Sequence, residues 1–72
     1  MKLTKDEMKE TLEKVASNLG ISKYIEGMET PEDMTKAMVP AVMKVYSCDE
    51  ELAFEMVDAH WHSVKRKMKG YF

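Results

Sequence analysis

Apolar residues recur along this chain at three- and four-residue steps, with no strand-like alternation. Met8, Leu12, Val15 and Leu19 make the first set. At ~100° per residue they form one narrow stripe, and Glu7, Lys9, Glu10, Glu13 and Lys14 cover the other sides. Thr4-Lys5-Asp6-Glu7 reads as a capping box, a hydroxyl for an exposed backbone N–H and a carboxylate reaching back. Gly20 suits the left-handed residue that ends a helix. These features predict a helix over 4–19 with Leu12 at the centre of its buried face.

A second helix is predicted over 31–46. Thr30 is a good cap, Pro31 fits the first helical position, and Glu32 and Asp33 suit the positive end of the dipole. Met34, Ala37, Met38, Ala41, Val42 and Val45 carry its apolar face, with Val45 expected in the core. Val39, Met43 and Tyr46 widen that face nearly all round, the pattern of a helix enclosed on several sides. Pro40 removes one backbone bond and crowds the Lys36 carbonyl, so a kink is expected there. Between the two helices, Ser22 is positioned to cap a single turn, and Ile21, Tyr24, Ile25 and Met28 to lid the core.

Ser47-Cys48-Asp49-Glu50 reads as a second capping box opening a helix over 48–68, with Gly70 beyond its end. With Phe54 as reference, Val57, Trp61, Val64 and Met68 fall within ~80° on a helical wheel. Ala53, Met56 and His60 extend this face. Acids gather in the first half of the helix and cations at its end, both favourable to the dipole.

The pattern therefore predicts an all-α fold, a single three-helix domain spanning 1–72. The first helix offers only a narrow stripe to cover the broad apolar arcs of the other two. The surplus predicts self-association, most simply as a two-fold homodimer. Phe54, Val57, Trp61, Val64, Met68, Met38 and Val42 are the expected interface.

Composition adds limits. At 72 residues the chain is near the lower size for a self-sufficient core, and Cys48, its only cysteine, cannot form an internal disulfide. Eight methionines suit irregular core filling and adaptable binding surfaces. A lone thiol, no apolar run long enough to span a bilayer and no signal-peptide pattern at the start together lead to the expectation of a cytoplasmic protein without membrane contact.

Candidate chemistry is sparse. His60 and His62 point ~200° apart on one helix and cannot share a metal, and the H-E-x-x-H spacing is absent. His62 follows Asp58 by four residues and can pair with it on the surface. Nucleophile–base motifs and phosphate loops are missing, so neither an enzyme nor a cofactor is expected. Lys65, Arg66 and Lys69 are candidate anion contacts, but a net charge of −2 and the acidic first half of the same helix oppose nucleic acid.

Thr30-Pro31 and the run MKVYSCDEELAFEMVDAHW at 43–61 partially resemble the helical hairpin of ClpS, the family that feeds proteins with destabilising N-terminal residues to the Clp protease. Tyr46-Ser47 and Asp49-Glu50-Glu51-x-Ala53 match its interhelical elbow, and Met56 to His60 its following pattern. The resemblance implies a peptide pocket in which His60 holds an α-amino group while Met34 and Met56 line the side-chain site. The family's Asn-Asp pair before Thr-Pro is replaced here by Gly27-Met28-Glu29, and its flanking strands have no counterpart. The reading from the residues themselves is a non-enzymatic helical protein-interaction module of the regulator, inhibitor or adaptor type. The ClpS-like adaptor is the alternative, and an anion binder using the basic end a second one.

Overall fold

The computed structural model of the chain describes residues 3–67. They form four helices and no strand: α1 Lys5–Leu19, α2 Ser22–Ile25, α3 Pro31–Tyr46 and α4 Glu50–Lys67. The all-α expectation holds, with the one-turn α2 as a fourth element.

The local signals explain where these helices start and stop. Thr4 accepts from the Glu7 backbone N–H at 3.2 Å while Glu7 accepts from that of Thr4 at 3.0 Å, a complete capping box. Gly20 closes α1 at φ +70°, where a side chain would be strained. The Thr30 hydroxyl accepts from Asp33 N–H at 3.2 Å ahead of Pro31. Ser22 is not a cap: α2 starts from Ile21 without a side-chain hydrogen bond.

The elbow between α3 and α4 departs from expectation. Ser47 does not open α4; it ends α3 in the left-handed region at φ +52°, its N–H reaching the Met43 carbonyl. The cap of α4 is Asp49, whose carboxylate accepts from Leu52 N–H at 2.9 Å, so α4 starts at Glu50 instead of 48. Once Ser47 turns to close one helix it cannot also cap the next, and the carboxylate two residues on takes the role.

Helix α3 runs unbroken through Pro40. Pro40 and Lys36 are both exposed, so water can take the hydrogen bond that Pro40 does not supply.

α1, α3 and α4 pack pairwise against one another, and α2 touches α1 and α3 but not α4. Leu12, Val15, Ala16 and Leu19 meet Met34, Met38, Ala41 and Val42, with Ile21 and Ile25 from the α2 segment and Ala53 and Val64 from α4. Leu12 is 3% exposed, as expected for its position. Val45 is not in the core: it is 42% exposed, on the last turn of α3, on a side that no other helix covers. The buried Thr11 hydroxyl donates to the Glu7 carbonyl at 2.7 Å, one turn back on α1. The Cα positions span 35 × 24 × 16 Å. The shortest dimension admits two helices at their usual ~8–10 Å separation but no third layer, so each long helix keeps an outward side.

Candidate functional site

The outward side of α4 borders an apolar concavity. A groove of about 300 Å³ is lined by Met8 and Leu12 of α1, Thr35 and Met38 of α3, and Phe54, Val57, Asp58 and Trp61 of α4. Phe54 and Trp61 are seven residues apart and share one rim. The two polar side chains of the groove are engaged. The Thr35 hydroxyl donates to the Pro31 carbonyl at 2.8 Å, and the Asp58 carboxylate lies 3.5 Å from His62 Nε2. What remains facing the space is mainly methionine, aliphatic and aromatic surface.

The predicted interface residues divide by depth. Phe54 is 61% exposed, while Val57 and Trp61 are half-buried. Met38 and Val42 are wholly enclosed by the chain itself, and Val64 nearly so. Met38 forms part of the groove's floor, whereas Val42 and Val64 belong to the core behind it. Met68 lies outside the described residues.

The residues implied by the ClpS-like hairpin are dispersed. Met34 is buried and lines a separate cleft of about 760 Å³ on the α2 side, with Lys9, Glu13, Lys23 and Met28 among its walls. His60 does not line that cleft. Its Nδ1–H donates to the Met56 carbonyl at 2.9 Å, one turn back on α4. Met56 is half-buried beside the core.

Lys65, Arg66 and Lys67 occupy the last turn of α4, Lys65 half-buried and the other two exposed. Lys67 shares a shallow cavity of about 270 Å³ with Lys14, Ser17, Asn18 and Val64, which Lys65 and Arg66 do not line. Lys69 and the expected Gly70 cap lie outside the described residues. Among the described residues no group of three His, Cys, Asp or Glu side chains comes together to hold a metal, and no helix is long and apolar enough to cross a membrane. Cys48 is half-buried, its Sγ 3.9 Å from the Val42 carbonyl.

Two features were not foreseen. Leu52 and Tyr46 are 48% and 47% exposed, so the elbow carries apolar surface of its own beside Val45. The Tyr46 hydroxyl donates to the Leu19 carbonyl at 3.0 Å, tying the end of α3 to the end of α1 across 27 residues. No periodicity signals such a bond, because it depends on how two helix ends meet. Of the walls that α1 and α3 give the groove, Met8, Leu12 and Met38 are legible only as apolar positions, and Thr35 gives no signal.

Comparison with protein-family models, with curated proteins and with solved structures finds no match to this chain.

Proposed function

We propose that this protein is a non-enzymatic helical interaction module that self-associates through the face of α4 bearing Phe54 and Trp61. One observation carries the reading: a phenylalanine 61% exposed on the rim of an apolar groove with Met38 in its floor. Fully burying such a ring contributes about 1.5–3 kcal/mol, and a two-fold pair gains the term twice. Large aromatics on a shared rim are the residue type that concentrates binding energy. The engaged Thr35 and Asp58 leave little in the groove to orient a small polar substrate, which further supports a protein surface as the occupant.

The ClpS-like alternative asks one pocket to hold His60 and Met34, and the groove at Phe54 includes neither. Self-association is therefore supported by more of the molecule. Sedimentation equilibrium of the full chain tests it. A dimer at micromolar concentration is expected, with Phe54→Glu monomeric and still helical by circular dichroism. A wild-type chain that stays monomeric to high micromolar concentration overturns the proposal.

A further inference from the structure

Glu51, Phe54, Asp58, Trp61 and Lys65 follow one another along α4 at steps of three, four, three and four residues. This spacing places the five side chains along one side of the helix, a seam with two aromatic rings flanked by charged groups. On this seam Glu51, Phe54 and Asp58 are exposed and Trp61 and Lys65 half-buried, so it runs along the outer side of the molecule and borders the groove. Its two ends carry opposite charges. Glu50 and Glu51 stand in the first turn of α4, and Lys65, Arg66 and Lys67 in the last.

We infer that two copies pair along this seam with their α4 helices antiparallel, so that Glu51 of each chain meets Lys65 of the other and Phe54 of each enters the groove beside the other's Trp61. This rests on the self-association reading above and names its partner geometry. A parallel pairing sets Glu51 against Glu51 and Lys65 against Lys65, two like-charge contacts. An antiparallel pairing about a two-fold axis near Asp58 turns both into attractions and also opposes the two helix dipoles. The same axis brings the two Asp58 carboxylates together. A parallel pairing along the same seam brings them together equally, so this contact favours neither orientation.

The test is a charge exchange in the full chain, read as the dimer dissociation constant by sedimentation at about 0.1 M salt, with circular dichroism to confirm folding. Glu51→Lys is expected to weaken association about 5- to 30-fold, since two symmetry-related contacts change sign together. Lys65→Glu should do the same, and the two substitutions in one chain should restore the wild-type constant to within about threefold. A second measurement covers the case in which charge changes at the helix ends cost helicity. Glu51→Cys chains mixed with Lys65→Cys chains, both carrying Cys48→Ala, should oxidise to the mixed disulfide. If Glu51→Lys leaves the constant unchanged, or like-with-like disulfides predominate, the antiparallel register is wrong. If that happens while Phe54→Glu still abolishes the dimer, self-association stands without this geometry. If Phe54→Glu changes nothing, the underlying reading fails and takes the register with it.

Discussion

Helices α1 and α4 are similar in length and amphipathic character but treat their apolar residues in opposite ways. α1 has 15 residues and buries five of them, Thr11, Leu12, Val15, Ala16 and Leu19. α4 has 18 and buries two, Ala53 and Val64, while Leu52 and Phe54 stand about half exposed or more. The difference follows from where each helix sits. α1 touches every other element, so its narrow stripe is enclosed on all sides. α4 meets α1 and α3 only, burying Ala53 and Val64 and packing Met56, Val57 and Trp61 part-buried against the core. Ala53 is wholly buried, and Phe54, ~100° further round, is carried to the groove's rim. α1 is therefore the more deeply enclosed of the two, and Leu52 and Phe54 of α4 remain exposed.

The largest effect expected from breaking this contrast is on the α1 side. Leu12→Ala leaves a cavity among Met38, Val15 and the α4 face and should cost about 2–5 kcal/mol, a large share of the stability open to a chain this small. Urea denaturation measures it. A loss below about half a kcal/mol would mean that α1 does not bury this face.

Next in size is the start of α4. Asp49→Ala removes the acceptor of the Leu52 N–H and is expected to cost about 1 kcal/mol. Ser47→Ala should cost far less, because the Ser47 side chain caps nothing in α4. Equal losses from the two substitutions would return the cap to Ser47.

Smaller again is the tie between helix ends. Tyr46→Phe removes the bond to the Leu19 carbonyl and should cost about 0.5–1 kcal/mol, at the low end because the tyrosine is nearly half exposed. Amide exchange should quicken in the last turn of α1 and not in its first. Uniform quickening would show that the bond supports the fold globally.

How far the sequence reveals this molecule depends on the range of the interaction. Both ends of α1 and the start of α3 are legible, because Thr4, Glu7, Gly20, Thr30 and Pro31 act within one turn. The core of α1 is legible for a related reason, since a narrow stripe permits only one burial. The elbow is misread because Ser47 and Asp49 are both competent caps, and only the left-handed turn at Ser47 decides between them. Val45 is misread because a wheel weights residues by hydrophobicity and does not show which side of a helix its neighbours cover. The groove itself has no sequence signature, since Met8, Leu12, Thr35 and Met38 come together only through the packing of α1 and α3.

The smallest expected effect is the sharpest test of the contrast. Phe54→Gln removes one of the most apolar side chains on α4, yet in dilute solution it should change stability by about 0.5 kcal/mol or less. Most of the ring already faces water, and the higher helix propensity of glutamine offsets part of the contact that is lost. Concentration should separate the wild type from the variant. A chain that self-associates in its folded form gains stability by mass action, so its melting temperature rises with protein concentration. The wild-type midpoint is expected to climb between one and one hundred micromolar, and that of Phe54→Gln to stay flat. The same substitution logic applied to α1, Leu12→Ala, should lower the midpoint at every concentration. If Phe54→Gln is instead as costly in dilute solution as Leu12→Ala, the ring is a core residue, and α4 belongs with α1 among the helices that only hold the fold.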